Sequence, residues 1–341
     1  MAAAFGRRDT AARQARPRTG LVLGAGGVLG AAWMTGALPA VQDHLPCAAG
    51  DVDVIIGTSA GSVLAAALRC GASLGDLVAH QQGQVAGALG ELGLPLPRGG
   101  PLPPLPHLRV GSPRLMRQAL LAPHRVPPWV GAAGGMPRGR GNHREVRAMV
   151  EALHGHHRGR AAAGSPPHWV DAPTWVVAVD YDSGQRVVFG RDGAPAATLS
   201  DAVVASCSIP GWYEPAVIGG RRYVDGGIRS ATSLGLIAQA DVDEVWVLAP
   251  MASTVTDHPR RPQERLERRL RRLITHALLR EVRALRSRGL KVTVLTPGPE
   301  DLAAIGANLM DPRRREAVLS TSLRTSAAAL ARQPDGPSRV A

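Results

Sequence analysis

The sequence predicts an α/β fold with a largely parallel sheet, and three observations carry that prediction. Short apolar runs alternate with longer segments whose apolar residues recur at helical spacing. Two early strand-to-helix junctions are glycine turns, Gly24–Gly30 and Gly57–Gly61. Neither an internal repeat nor a clear linker divides the 341 residues, so one domain carrying an insertion is the simplest organisation.

The elements follow in order. Residues 1–18 read as a basic, disordered leader with Arg7, Arg8, Arg13, Arg16 and Arg18. Leu21–Leu23 is a short strand, Gly24–Gly30 a tight loop, and Ala31–His44 a helix whose Trp33, Met34, Ala37, Leu38 and Val41 share one face. Val52–Ile56 is a β-branched strand, Gly57–Gly61 a sharp turn, Ser62–Cys70 a helix and Leu74–Gln82 a second, shorter one. From about 90 to 141 the chain turns Pro- and Gly-rich around a short helix at Pro113–Leu121, which reads equally as a variable surface insertion and as a lid or substrate-access region.

Beyond it, Arg144–Leu153 is helical, and Trp175–Val179 and Arg186–Phe189 form a hairpin about Asp182-Ser183-Gly184. A helix at Leu199–Ser206 precedes a second hairpin, Ala216–Ile218 with Arg222–Val224. Ala231–Ala240 is read as helix, Glu244–Leu248 as strand, Pro262–Ser287 as a long helix, Lys291–Thr296 as strand and Pro312–Leu330 as a closing helix. The domain is expected over 19–332, with 333–341 a flexible tail.

Composition narrows the function. The net charge of +13 raises nucleic acid or an anionic membrane as partner. But Lys291 is the only lysine among 40 basic residues, which points to compositional bias, and 3% aromatics leave little base-stacking surface. Nucleic acid is therefore not an expected partner. Cys47, Cys70 and Cys207 have neither zinc-like nor disulfide-like spacing and fit a reducing, cytoplasmic compartment. The uncharged run Thr19–Gln42 after the arginines mimics a membrane anchor, yet its six glycines and Pro39 divide it into strand, turn and helix.

Three motifs carry chemistry. Gly57-Thr58-Ser59-Ala60-Gly61 fits G-x-S-x-G between a strand and a helix, the setting of a nucleophile elbow: Gly57 and Gly61 permit close approach and Ser59 is left exposed on the turn. Gly24–Gly30 reads in two ways. As a dinucleotide fingerprint of an oxidoreductase its last glycine is displaced by one and the expected carboxylate is missing. As an oxyanion loop it offers uncovered N–H groups around Gly26, Gly27 and Val28. Tyr223-Val224-Asp225-Gly226-Gly227 puts Asp225 at a strand end, where a plain Asp-Gly turn is the bland reading.

In this order the three motifs resemble the patatin-like phospholipases. The segments Ala205–Gly211 and Glu214-Pro215 resemble that family's approach to its aspartate. The resemblance implies a three-layer α/β/α sandwich and a Ser59–Asp225 dyad without histidine. Gly26, Gly27 and Val28 would hold the oxyanion, the substrate would be a lipid ester, and neither metal nor organic cofactor would be needed. Two departures stand out: Leu29 where relatives often carry a basic residue, which shifts preference away from anionic head groups, and Ile228–Ser233 where many show an Asn-Pro-like segment. A catalytically silent binding protein of the same family remains an alternative.

His154, His156 and His157 lack metal-ligand partners and read as a solvated loop, and His276 is the rival third member of a Ser-His-Asp triad. The long helix at Pro262–Ser287 carries Leu266, Leu270, Leu273, Leu278, Val282 and Leu285 on what reads as a core-facing side. Its arginines, with the leader, suit peripheral contact with an anionic membrane.

Overall fold

The computed structural model describes residues 16–84, 89–90, 92, 102, 104–107, 109–159, 167–255, 259 and 261–332. The leader up to residue 15, the tail 333–341 and parts of the expected insertion lie outside the described residues. The first half of the chain contributes β1 (Thr19–Leu23), α1 (Gly27–Gln42), β2 (Val54–Thr58), α2 (Ala60–Arg69), α3 (Leu74–Gln81), α4 (Pro113–Leu121), α5 (Pro128–Gly135) and α6 (Arg144–Arg158). The second half adds β3 (Thr174–Asp180), β4 (Arg186–Phe189), α7 (Leu199–Cys207), β5 (Ala216–Ile218), β6 (Arg221–Asp225), β7 (Glu244–Leu248), α8 (Pro262–Arg286), β8 (Lys291–Leu295), α9 (Pro299–Ile305) and α10 (Arg315–Ala331).

The eight strands form one sheet. β3, β2, β1, β7 and β8 run parallel, while β4 and β6 lie antiparallel to β3 and β5 antiparallel to β6. β1, β2, β3 and β7 are buried on both faces, which is why they read as continuous apolar runs rather than as alternation. One face, bearing Leu21, Leu23, Ile55, Val176 and Ala178, is covered by α1, α2, α6, α7 and α10. The other, bearing Val22, Val54, Ile56 and Val177, is covered by α8 and the 3₁₀ turn Leu234–Gln239. The architecture is thus helix, mostly parallel sheet, helix, as expected.

Four expectations shift. The glycine loop is only Gly24–Gly26, because α1 already starts at Gly27. Its first turn needs no local partner for every N–H: Gly30 donates to Gly26 O at 2.8 Å and Leu29 to the distant Leu309 O at 2.9 Å. The segment read as helix at 231–240 is a 3₁₀ turn, since Ser230 Oγ accepts from Ser233 N–H (2.9 Å) and Ser233 is left-handed at φ 54°. His154, His156 and His157 sit in the last turns of α6 rather than in a loop, with His154 Nε2 3.0 Å from Trp169 O.

The fourth concerns α8. Only its C-terminal half faces the core, through Leu278, Val282 and Leu285. Leu266, Leu270 and Leu273 are exposed, and Arg271 is buried in their stead. Arg271 Nη1 donates to Pro250 O (2.6 Å) and Ala252 O (3.0 Å) and its Nη2 pairs with Glu267 at 2.7 Å, so the helix spends a buried arginine on carbonyls beyond the end of β7.

Candidate active site

The register of β3 explains how two residues 166 positions apart in the chain become neighbours. A strand has two hydrogen-bonding edges. β4 occupies one of them from Val176 to Val179. On the other edge β2 runs alongside until Thr58 pairs with Val177, and β6, arriving from the opposite direction, ends with Asp225 paired to Ala178. β2 and β6 therefore meet end to end on a shared edge. A straight continuation of β2 would put residue 59 where Asp225 already lies, so the chain has to leave the sheet at Ser59. Ser59 and Asp225 both fall on the Ala178 face, and Ala178 has too little bulk to separate them.

The turn at Ser59 is correspondingly sharp. Ser59 has φ 54° and ψ −122°, one of two left-handed non-glycine residues among those described. Such a backbone costs on the order of 1–3 kcal/mol and persists only where its surroundings fix it. Ser59 N–H donates to Ser206 Oγ (2.8 Å), whose hydroxyl donates to Val177 O (2.6 Å), while Ser62 Oγ donates to Ser59 O (2.7 Å). The flanking glycines are needed for contact: a Cβ on Gly57 would lie 2.5 Å from Ser62 Cα, and one on Gly61 would overlap the Leu23 carbonyl oxygen. Gly61→Ala is expected to cost about 3 kcal/mol or more, lowering Tm by roughly 4 °C or more in a thermal melt.

Asp225 is 4% exposed. Its Oδ1 accepts from Gly227 N–H at 2.7 Å, and the Ser59 hydroxyl lies near enough to its carboxylate to favour the charged form. Burial raises its pKa to about 6, with the Ser59 hydroxyl and the Gly227 hydrogen bond holding it back from rising further. The Cys207 thiol beside Ser59 and Ser62 is pushed up by burial, with Asp225 adding to the shift, so it stays protonated at neutral pH.

Ser59 opens into a cleft of about 690 Å³ shared with Gly27 and Val28. Among the described residues, the N–H groups of Gly26, Gly27 and Val28 have no hydrogen-bond acceptor. Gly27 and Val28 border the cleft, while Gly26 lies beneath them against Pro250 and Gly30. The two positions at the start of α1 thus bring unpaired donors, at the positive end of a 16-residue helix, to the side of Ser59. Beneath them Pro250, whose carbonyl Arg271 holds, fills the space under Gly26 and Gly30.

The dinucleotide reading lacks its acidic partner. Asp53 precedes β2 and sits at the N-terminal end of the sheet, where it accepts from Thr19 N–H (2.7 Å); the C-terminal end of β2 carries Ser59 instead. His276 is exposed on α8, against the sheet face opposite Ser59, and does not reach the cleft. Among the described residues no three His, Cys, Asp or Glu side chains come close enough to hold a metal ion.

Some site residues carried no sequence signal. His143 lines the cleft and stacks on Tyr213 at 3.9 Å, and burial lowers its pKa to about 4. Ser206 and Cys207 lie within the Ala205–Gly211 segment singled out above, but their supporting contacts with Ser59 emerge only in three dimensions. Arg140 and Arg144 also line the cleft.

The family model described as patatin-like phospholipase matches residues 21–237. Among solved structures, VipD from Legionella pneumophila aligns at 13% identity and TM-score 0.39, over 90% of this chain and 67% of that one. The type III effector protein ExoU aligns at 16% identity and TM-score 0.37, over 92% of this chain and 52% of that one.

Proposed function

The chain belongs to the patatin-like phospholipase family, and on that premise we propose that it is a serine acyl hydrolase cleaving ester bonds of lipids through a Ser59–Asp225 dyad. Lipid acyl hydrolysis is the reaction class that comes with the family. The single observation that supports the finer reading is the end-to-end meeting of β2 and β6, which brings residues 59 and 225 to one edge of β3 beside N–H groups without an acceptor among the described residues.

In this reading Ser59 Oγ attacks the acyl carbonyl while Asp225 takes the hydroxyl proton. The negative oxygen of the tetrahedral intermediate is held by N–H groups at Gly27 and Val28, with Gly26 shaping the turn. Asp225 then gives the proton to the departing alcohol, leaving the acyl group esterified to Ser59. Water attacks that ester, Asp225 accepts its proton, and collapse of the second intermediate returns the proton to Ser59 Oγ as the fatty acid leaves. No step asks for a metal or an organic cofactor.

The walls of the cleft suit an acyl chain: Val63, Leu64, Leu77, Met149, Ile209 and Met310 border it. Leu29 removes one charge from the glycine turn, yet Arg140 and Arg144 bring positive charge to the same cleft from another part of the chain. That favours a phospholipid over a neutral ester. No helix among the described residues is long and apolar enough to cross a membrane. Contact with an anionic membrane would then be peripheral.

Incubation of the full chain with a panel of phospholipids and neutral glycerides, read by mass spectrometry, tests this. The expected result is release of free fatty acid and lysophospholipid, faster from phospholipids than from neutral glycerides. Absence of any lipid product, together with no labelling by a fluorophosphonate probe, would overturn it.

A further inference from the structure

We propose that the solvent face of the α4–α5 hairpin is a docking surface for an anionic phospholipid bilayer, at the same end of the sheet as Ser59. The proposal rests on the lipid hydrolase reading and adds the surface by which such an enzyme would reach its substrate.

Large apolar side chains stand out from this face. On α4, Met116, Leu120 and Leu121 are 41%, 82% and 70% exposed, and Trp129 in the first turn of α5 is 63% exposed. They are presented on a firm base. Leu115 is fully buried among Val126, Val130, Val179 and Tyr181. Tyr181 OH donates to Ala133 O (3.0 Å), Arg222 Nη1 donates to Gly111 O (2.9 Å), and Ser112 Oγ caps Leu115 N–H (3.2 Å). The outward face is thus what remains after the hairpin has satisfied its own core.

The charge of the segment matches an anionic surface. Between Glu91 and Glu145 the sequence has no carboxylate and eight arginines. Arg114, Arg117 and Arg125 are exposed around the apolar side chains. The nearest carboxylates come from neighbouring elements: Asp180 and Asp182 share a shallow hollow with Arg114 and Arg117, but Asp180 pairs with Arg221 and Asp182 with Arg222. Leucine, methionine and tryptophan ringed by arginine is the composition of an interfacial helix: apolar groups enter the acyl boundary and guanidinium groups meet phosphate.

Position supplies the link to the site. α4 and α5 rest on Val179 and Tyr181, on the sheet face opposite Ser59 but at the same C-terminal end of β3. Leu102, Pro104 and Arg140, which flank the hairpin in sequence, border the cleft itself. A bilayer seated on Leu120, Leu121 and Trp129 would lie at the end of the sheet that carries Ser59 and Asp225, with the cleft reached through the flanking segments.

The test uses the full chain with Ser59→Ala, so that vesicles stay intact. Sedimentation is measured with vesicles of phosphatidylcholine alone and of phosphatidylcholine with phosphatidylglycerol. The expected results are preference for the anionic vesicles and a loss of about tenfold or more in partitioning for Leu120→Ser/Leu121→Ser/Trp129→Ser. Arg114→Gln/Arg117→Gln/Arg125→Gln should erase the preference for anionic vesicles. In the Ser59 background both sets should hydrolyse a short-chain soluble ester at the unsubstituted rate, which also reports the fold. The proposal is overturned by unchanged partitioning of both sets, or by loss only in Leu266→Ser/Leu270→Ser/Leu273→Ser on α8. It is equally overturned if the face holds two copies together, seen as a dimer that the triple serine variant dissociates. Vesicle binding through this face without any ester hydrolysis would instead count against the hydrolase reading alone.

Discussion

Ser59→Ala is expected to reduce ester hydrolysis on the order of 10⁴-fold or more and to abolish fluorophosphonate labelling, with the fold intact. No other group can take over. The Cys207 thiol next to it is buried and kept protonated, and Ser62 Oγ is engaged with Ser59 O. The residual rate would come from the proposed oxyanion donors and from binding, which the substitution leaves in place. Stability separates this loss from unfolding. Alanine inherits the strained φ of 54°, so Tm should barely move. Ser59→Gly should be equally inactive yet more stable by about 1 kcal/mol, because glycine adopts that backbone without the Cβ clash. A labelled or active Ser59→Ala would remove the nucleophile assignment.

That strain was partly legible in the sequence. G-x-S-x-G between a β-branched run and an alanine-rich helix names the turn, but not its cause. The cause is the shared edge of β3, and it depends on β6 arriving antiparallel from a hairpin about 160 residues further along the chain. Strand periodicity locates β3 and β6; it cannot say that β6 stops at Ala178, where β2 would otherwise continue. The same limit applies to Ser206, whose hydroxyl links Ser59 N–H to Val177 O, and to His143, which reaches the cleft only because residues 139–141 lie against Trp212 and Tyr213.

Elsewhere the local signals and the tertiary outcome part company in an instructive way. The glycines at 24–30 suggested a loop, yet helix α1 begins within them because Leu309, near the far end of the chain, supplies the acceptor that a helical first turn lacks. The apolar stripe of α8 suggested one continuous core face. The sheet reaches only its C-terminal half, and beyond the end of β7 the buried position is taken by Arg271, which satisfies two backbone carbonyls that a leucine could not. Apolar spacing marks which face of a helix could be buried; how far the partner sheet extends decides how much of it is.

Asp225→Asn is expected to lower kcat by about 10²–10⁴-fold and, at the same time, to stabilise the protein above neutral pH. Both effects follow from one raised pKa. As the proposed base, Asp225 must be ionised, so kcat/KM of the parent should rise with pH through about 6 and level off above it. For stability the sign is opposite. The carboxyl has a folded pKa of about 6 against an unfolded value near 3.9, so burial favours its protonated form. Its contribution is fully favourable below about pH 4 and is lost as pH rises through about 6, on the order of 3 kcal/mol in all. Asparagine keeps the shape and can still accept from Gly227 N–H, but never carries the charge. The variant should therefore melt above the parent at pH 8, with the gap closing as both are taken to pH 4. An Asp225→Asn protein that retained full turnover would remove the dyad. One that melted below the parent at pH 8 would show that the buried carboxylate stabilises the site by more than its desolvation costs.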